Sequence, residues 1–428
     1  MSEKPPDPAA GRSLVVLVPF LLLGPLDYAF RINSGLIAPA LVDEFGIGPA
    51  DLGFMTSTFF VAFALAQLPM GLALDRFGPF RVTAAALAVA AVGAVIYVTA
   101  TDFVGLVVGR FLIGVGMAPS LTAYITALRL WFPADRLASL VAFQMALTAL
   151  GAMVASKPME ALLTVVPWRS VVVGLVGACV LLAVATLAVS PRREAADQTP
   201  PADLDRSFRV YGVILSSFRF WRFAPVAMGG MGAAIAYQSL WAPLWLRDVA
   251  GFDASAQAWV LFAMFGAVLA GNLAVSWLTA RVGGETRALQ AIAFGGLGMT
   301  ILMQILLAAT RGGFAPGVLW IASSLFFACP LVAYAIVTRA FLSETAGRAA
   351  SAVTAMTFAA VFLTQWLTGV VIGAFPGSTP SGYAVEGYLA AQWAVIGLQV
   401  LAVLWSLLAG CLETRADRKA ATTPGQLS

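Results

Sequence analysis

Twelve apolar runs of about twenty residues dominate this sequence and limit its fold more than any other feature. A helix needs about 20 mostly apolar residues to cross the hydrocarbon core of a bilayer. The runs are separated by short polar breaks and fall near 14–42, 52–74, 82–101, 104–128, 138–165, 170–190, 221–246, 255–280, 287–309, 315–340, 349–373 and 388–411. The pattern predicts an all-α membrane protein with twelve transmembrane helices.

The composition excludes a soluble fold. Sixty per cent of the 428 residues are hydrophobic and 11% are charged, whereas a soluble domain carries roughly a quarter charged residues. Most of the surface must therefore face lipid. The first apolar run lacks a small-residue cleavage site, which indicates a retained helix rather than a signal peptide.

One long polar stretch, residues 191–220, divides the runs into six and six. We therefore expect an N-terminal six-helix bundle at 1–190, a cytoplasmic linker at 191–220, and a C-terminal six-helix bundle with a short cytoplasmic tail at 221–428. The two bundles are expected to be pseudo-symmetric.

Lysine and arginine are distributed unevenly between the two sides of the predicted bundle. Nineteen of the 25 fall in loops on one side, and only Arg169, Arg247 and Arg311 fall in loops on the other. Cytoplasmic loops of membrane proteins carry the excess of these residues. The distribution predicts a multi-pass protein of the inner (cytoplasmic) membrane with both termini in the cytoplasm.

The loops after the second and eighth runs are similar. Four positions recur at an offset of 205 residues, pairing Gly71, Asp75, Arg76 and Gly78 with Ser276, Ala280, Arg281 and Gly283. Internal repeats are typical of secondary transporters whose halves move around a central site. For the second loop alone there is another reading, because glycine and arginine commonly end membrane helices.

The first of these loops resembles the major facilitator superfamily pattern Gly-x-x-x-Asp-Arg-x-Gly-x-x-Arg, at Gly71, Asp75, Arg76, Gly78 and Arg81. The fourth run carries the family's Arg-x-x-x-Gly-x-Gly as Arg110, Gly114 and Gly116. The resemblance covers essentially the whole chain and implies transport by alternating access. The loop residues would then form a conformational gate, in which Asp75 pairs with Arg76 or a neighbouring helix in one state and releases it in the other.

A narrower resemblance is to the anion:cation symporter branch of that superfamily. Helix 1 of the branch carries Asp-Arg-x-Asn, and this chain reads Phe30-Arg31-Ile32-Asn33. The acid that the branch has seven residues after the helix 4 arginine is Met117 here. Both arginines are kept and both acids are lost, which puts the branch's proton coupling in doubt.

Three cations lie inside the apolar runs, where charge is costly and usually faces a cavity or a partner. On helix 1, Asp27 and Ser34 share the face of Arg31. Arg31 is predicted to bind a substrate anion and Asp27 to couple transport to a proton; the alternative is a structural Asp27–Arg31 pair. Arg110 could also bind a carboxylate with its planar fork, or it could cap backbone carbonyls. For the third cation, Lys157, an interfacial pair with Glu160 is favoured.

The second half carries no charge at mid-membrane but has polar and aromatic residues within its runs. Residues of this kind are often contacts between helices; as a set they suit a small, partly apolar solute. The predicted substrate-binding residues are Arg31, Arg110, Ser34, Tyr237, Gln238, Trp241, Asn272, Tyr334, Thr354 and Gln365.

The leading hypothesis is a secondary active transporter for a small organic anion of the carboxylate type. The alternatives are an exporter or exchanger of a neutral or zwitterionic solute, and a transporter-like solute sensor. The chain has no histidine, no nucleophile motif and no phosphate loop, so an enzyme is not expected. We expect no cofactor, no metal and no nucleic-acid partner; a monomer in the bilayer, with a proton or sodium as possible coupling ion, is expected.

Overall fold

The computed structural model describes residues 10–190, 204–283, 285–310, 313–377 and 382–422, which are almost entirely helical. We number the transmembrane helices as spans 1 to 12. The first six are Ala10–Phe45, Pro49–Phe77, Pro79–Thr99, Phe103–Met117 continuing as Ser120–Trp131, Ala134–Val154 continuing as Lys157–Leu163, and Trp168–Ala188.

The last six spans include two that are clearly interrupted. Span 7 contains a π-helical segment, and span 10 is divided by a stretch of turns at 326–331. Spans 7 to 12 are Phe218–Ala236 with the π-helix Tyr237–Trp241 and Ala242–Asp248, then Ala254–Arg281, Thr286–Ala309, Ala315–Leu325 with Val332–Arg339, Ser343–Gly373, and Val385–Thr422.

Ten of these helices are long and apolar enough to cross a membrane, judged by length and composition. The two others are spans 7 and 10. Together they give the twelve-helix, all-α fold that the apolar runs predict.

Familiar end signals set the limits of the spans. Proline occupies the first turn of spans 2 and 3, where its missing N–H needs no partner. The Asp102 and Asp253 side chains accept hydrogen bonds from Gly105 N and Ala256 N, at 2.8 and 2.7 Å, and so cap spans 4 and 8.

The predicted linker falls partly on residues 191–203, which lie outside the described residues, as do 1–9 and 423–428. Its described part contains a helix, Leu204–Ser216, which contacts spans 7 and 11. Ile214 of this helix is buried in the apolar core of the last six spans. The burial of that residue against spans 7 and 11 explains why a stretch that reads as a charged linker forms a helix.

The backbone carries the same internal repeat as the sequence. Gly46 and Gly78 have φ angles of 62° and 77°, and Gly251 and Gly283 have φ angles of 72° and 62°. Each residue of the second pair lies 205 residues after its counterpart. Glycine adopts positive φ without the steric cost that a Cβ would bring. Equivalent helix ends in the two halves therefore turn in the same way.

The two ends of the bundle differ. The arginine-rich end carries the loops after spans 2, 4, 8 and 10, and the opposite end carries Arg169 and Arg247. At the opposite end the two halves touch: a Cβ placed on Gly369 of span 11 would lie 2.2 Å from the Pro49 carbonyl oxygen of span 2. Lys157 Nζ also donates a 2.7 Å hydrogen bond to Ser255 Oγ between spans 5 and 8.

At the arginine-rich end, the second helical segments of spans 4 and 10 each pack within their own half. Ser120–Trp131 of span 4 packs against spans 1, 2, 3 and 5, and Val332–Arg339 of span 10 packs against spans 7, 9 and 11. A cavity of about 670 Å³ opens at this end between spans 8, 9 and 10. The halves are thus joined at the opposite end, and spans 2 and 11 also stay side by side along the bundle, from Pro49 and Gly369 to Asp75 and Arg348.

Candidate substrate site

A buried ion pair lies near the middle of span 1. Arg31 donates through Nε to Asp27 Oδ1 at 2.9 Å, and its Nη2 lies 2.6 Å from Asp27 Oδ2. Both side chains are buried. Residues four apart lie on one helical face, and the two parallel contacts use the planar fork of the guanidinium. The Asp27–Arg31 pair, which the sequence left as the alternative to solute binding, is present in this conformation.

Five aromatic rings surround the Arg31 guanidinium, and we call them the Arg31 box. The distances from Arg31 Cζ to the ring centroids lie between 5.1 and 5.7 Å. Such distances allow cation–π attraction. Spans 1 and 2 supply four of the rings and span 11 the fifth, so both halves contribute: Tyr28, Phe59, Phe60, Phe63 and Phe358.

Arg110 of span 4 is the second buried arginine of this centre. Its Nη1 donates a 3.0 Å hydrogen bond to the Phe30 carbonyl oxygen, and its Cζ lies 5.3 Å from the centroid of the Phe59 ring. Arg110 Nε has no hydrogen-bond partner, and Arg110 forms no ion pair within the described residues. The centre therefore carries two cations and one carboxylate.

Ser34, another predicted site residue, lies one helical turn beyond Arg31 and is buried. Its Oγ has no hydrogen-bond partner among the described residues. The next residue, Gly35, approaches the Ser239 carbonyl oxygen of span 7. Ser34 thus lies where spans 1 and 7 meet.

Two predicted residues of the second half lie beside the Arg31 box. Tyr334 Oη of span 10 donates a 2.8 Å hydrogen bond to Thr357 Oγ1 of span 11. Thr357 directly precedes Phe358, a ring of the box. Thr354 lies one turn earlier, and its hydroxyl donates to the Ala350 carbonyl oxygen. Span 11 thus carries both these hydroxyl groups and the Phe358 ring of the box.

Two other predicted residues lie where spans 2, 7 and 11 meet: a Cβ placed on Gly53 of span 2 would lie 2.8 Å from the Gln365 carbonyl oxygen and 3.2 Å from Trp241 Cζ2. Trp241 Nε1 donates to the Gln365 carbonyl oxygen at 2.9 Å. Gln365 Nε2 donates to Thr56 Oγ1 of span 2 at 2.6 Å, and Gln365 Oε1 accepts from Ser239 Oγ of span 7 at 3.1 Å. Thr56 and Ser239 were not among the predicted residues, because one sequence does not show which helices meet.

The remaining predicted residues lie in two separate cavities. Tyr237 and Gln238 line a cavity of about 20 Å³ inside the last six spans. Asn272 lines the larger cavity at the arginine-rich end, and its amide donates to the Val268 carbonyl oxygen at 2.9 Å. The ten predicted substrate residues therefore do not form a single pocket here.

The predicted gate lies at the arginine-rich end of span 2. The charges of Arg129 in span 4 and Arg348 in span 11 favour the ionised form of Asp75, while Arg76 Cζ lies 5.1 Å from the centroid of the Phe77 ring. Desolvation raises the pKa of Asp75, and these two arginines oppose the rise. The partners of Asp75 are thus on neighbouring helices of both halves.

The rest of the gate motif shapes the turn after span 2. Gly78 has positive φ, and its N–H donates to the Leu74 carbonyl oxygen at 3.0 Å, which closes the helix end. Gly71 lies one turn before Asp75 and is partly buried, and the Arg81 side chain is exposed.

Lys157 pairs with Glu160 as the sequence favoured, with Nζ 2.5 Å from Oε2. Within the described ranges, no group of three or more His, Cys, Asp or Glu side chains is placed to hold a metal ion.

The model of the Major Facilitator Superfamily matches residues 20–365 of the chain. The chain belongs to this superfamily. Membership assigns it to a family of transporters and not to an enzyme family, and confirms the resemblance seen in its loop and helix 4 motifs.

Curated relatives match over shorter stretches. The chain is 30% identical over 128 residues to the probable galactarate/D-glucarate transporter of Pseudomonas putida, covering 28% of each chain. It is 24% identical over 156 residues to the hexuronate transporter of Bacillus subtilis, covering 36% of this chain and 37% of that one. The matches thus span well under half of these relatives.

A solved structure extends the comparison of the fold. The bacterial homolog of the human lysosomal transporter Spinster, in an inward-facing and unoccupied conformation, superposes with a TM-score of 0.72 at 17% identity. The superposition covers 94% of this chain and 98% of that one. At this identity the likeness concerns the fold alone.

Proposed function

We propose that the protein is a secondary active transporter that moves a small organic anion across the cytoplasmic membrane by alternating access. The arginine-rich end, with both termini, faces the cytoplasm, since the excess of positive loops belongs on that side. Arg31 and Arg110 are buried in this conformation, so in this proposal a solute reaches them when the halves move apart at the arginine-rich end.

The uncompensated charge of Arg110 carries this proposal. Arg31 is matched by Asp27, whereas Arg110 is buried against a backbone carbonyl and forms no ion pair in the described part of the chain. A buried cation without a counter-charge is costly. A solute anion between Arg110 and Arg31, both next to the Phe59 ring, would offset that cost.

The names of the relatives agree with an anionic solute. Galactarate, glucarate and hexuronate, which appear in those names, are organic acids. A carboxylate is the group that an arginine fork binds best. The hydroxyls of Tyr334 and Thr354, beside the Arg31 box, could bind the rest of such a solute.

Asp27 offers a route for proton coupling. A solute carboxylate that bonds to Arg31 competes with Asp27 for the same N–H donors. The Asp27 carboxylate, released from its partner inside the bilayer, would take up a proton, because an unpaired charge is unfavourable there. Anion binding and proton uptake would then be linked, which is symport.

The test uses purified protein and a panel of organic acids, phosphate esters, amino acids and neutral sugars. A bound solute raises the thermal midpoint because it binds only the folded state. We expect organic acids to stabilise both the wild type and the control variant Arg281→Gln. Arg281 lies away from the centre, with its Cζ 4.0 Å from the centroid of the Trp277 ring. Arg110→Gln should lose that response. An acid response that persists unchanged in Arg110→Gln contradicts the proposal.

A second candidate is an exchanger of neutral or zwitterionic solutes. It is favoured by one observation: Arg31 and Arg110 each already donate to a protein acceptor, Asp27 and the Phe30 carbonyl oxygen. In that case neutral solutes stabilise the protein, acids do not, and Arg110→Gln keeps its solute response.

A further inference from the structure

The small cavity inside the last six spans lies where the two interrupted spans meet. It is lined by the start of the π-helical segment of span 7, by span 9, and by residues before and within the break in span 10. The Tyr237 and Trp320 rings lie beside it, with centroids 5.4 Å apart. The volume of about 20 Å³ is small, but a single water needs only about 10–15 Å³ measured in this way.

Three residues of this lining, from three different spans, each carry a buried polar atom. Tyr237 Oη, Gln304 Oε1 and Trp320 Nε1 have no hydrogen-bond partner among the described residues. The three residues are 4%, 7% and 6% exposed, so bulk solvent does not reach them. Buried polar groups are normally paired, and three unpaired ones around one cavity point to a shared guest.

The hydrogen-bonding chemistry of the three atoms limits which kind of molecule the cavity can bind. The Trp320 indole N–H only donates, the Gln304 amide oxygen only accepts, and the Tyr237 hydroxyl does either. A cation is disfavoured because the indole donor would oppose it and no carboxylate lines the cavity. An apolar guest would leave all three atoms unpaired. One molecule that donates and accepts at once satisfies the whole set.

We propose that this cavity is a binding site for one internal water molecule held by Tyr237 Oη, Gln304 Oε1 and Trp320 Nε1. The water accepts from the Trp320 N–H, donates to Gln304, and exchanges a hydrogen bond with Tyr237. It joins spans 7, 9 and 10 at the level where span 7 is π-helical and span 10 breaks. The water would thus hold together the two spans whose own backbone is interrupted.

A double-mutant cycle on the purified full-length protein without solute tests the shared water. Tyr237→Phe and Gln304→Met each remove one partner, and each should lower the thermal midpoint by a few degrees. The double variant should lose less than the sum, because both changes disrupt the same water. The control pair is Tyr334→Phe with Gln304→Met; Tyr334 bonds to Thr357, so these losses should add. Additive losses in the Tyr237–Gln304 cycle overturn the proposal.

A cavity-filling variant tests whether this cavity holds a polar molecule. Ala234 lines the cavity, and Ala234→Val would occupy it. Displacing a bound water should lower the midpoint, whereas filling an empty apolar space should raise it. A higher midpoint in Ala234→Val overturns the proposal.

Radiolytic labelling of the wild type needs no substitution. Hydroxyl radicals made from a bound water by an X-ray pulse oxidise the side chains that touch it. Tyr237 should be modified several-fold faster than Tyr124, which is also buried but donates to the Leu140 carbonyl oxygen at 2.9 Å. Equal rates at the two tyrosines would show that Tyr237 has no water of its own.

Discussion

The two halves share a backbone plan but differ in what they bury. The first six spans place Asp27, Arg31 and Arg110 at their centre, with aromatic rings around the charges. The interior of the last six spans holds neutral polar groups such as Gln304 and Tyr237. The two halves therefore repeat the same fold but do not bury the same kinds of side chain at their centres. In the proposed cycle, the first half holds the charged group of the solute and the second half moves against it.

The comparison also shows where the halves depend on each other. Phe358 of span 11 completes the Arg31 box, with its ring centroid 4.3 Å from that of Phe63. Gln365, two turns further along span 11, bonds to Thr56 of span 2. The charged centre is therefore covered in part by a helix of the other half, which, within the described residues, has no charge at its own centre. Separation of the halves would remove a ring from around Arg31 and expose it.

The largest expected effect comes from removing the charge of the first half. Arg31→Ala leaves Asp27 buried without its partner, and breaking a buried pair in this way costs about 3–5 kcal/mol. We expect a large fall in thermal midpoint and loss of solute flux in proteoliposomes. The double variant Asp27→Ala/Arg31→Ala removes both charges and should regain much of the midpoint but no flux. If the double variant transports normally, Arg31 does not bind the solute.

Asp27→Asn should have the next largest effect, on coupling. It keeps the shape of the side chain but removes the titratable group. We expect accumulation driven by a pH gradient to disappear, while solute exchange without a gradient continues. Glu160→Gln serves as the control, because Glu160 pairs with Lys157 near the opposite end. Gradient-driven accumulation that survives in Asp27→Asn would show that another group, or sodium, carries the coupling.

Gln365→Leu should shift the balance between conformations. It removes the side-chain hydrogen bond to Thr56, which joins the halves, and the one to Ser239, which lies within the last six spans. A neutral hydrogen bond contributes about 0.5–1.5 kcal/mol, so loss of the one that joins the halves should make the joined state about two- to tenfold less populated.

Cross-linking measures that shift. Cysteines placed at Pro49 and Gly373, which are in contact, should cross-link more slowly in Gln365→Leu when the native cysteines are replaced by serine. Gln392→Leu is the matched control, because Gln392 bonds to the Gln304 carbonyl oxygen within one half. An unchanged rate in Gln365→Leu, or an equal slowing in both variants, would contradict a role for Gln365 in joining the halves.

The sequence predicted the features that depend on local order along one helix. The twelve apolar runs predicted the spans, and spacing by four residues predicted that Asp27 and Arg31 share a helical face, where they form an ion pair. Contacts between helices could not be predicted from one sequence. Gln365 was predicted to bind the solute, because nothing in the sequence indicates its partner Thr56, which lies 309 residues away in the chain. The π-helical segment of span 7 also left no periodic signal, because five residues are too few to change a pattern.

The smallest expected effect is at Asp75, where both halves contribute charge. Asp75→Asn removes the attraction to Arg129 and Arg348 at the arginine-rich end. The gate lies away from the buried charges, so turnover should slow several-fold while solute affinity, measured by thermal shift, stays within a few-fold.

The pH dependence of turnover at Asp75 gives a sharper test. Protonation of wild-type Asp75 also cancels its charge, and because desolvation raises its pKa above the usual 3.8, this begins at a higher pH than for an exposed aspartate. Wild-type turnover should therefore fall toward that of Asp75→Asn as the pH decreases, and the two should differ most at neutral pH. A constant ratio of the two rates across that range, or a large loss of affinity in Asp75→Asn, would show that Asp75 acts on the site and not on the movement of the halves.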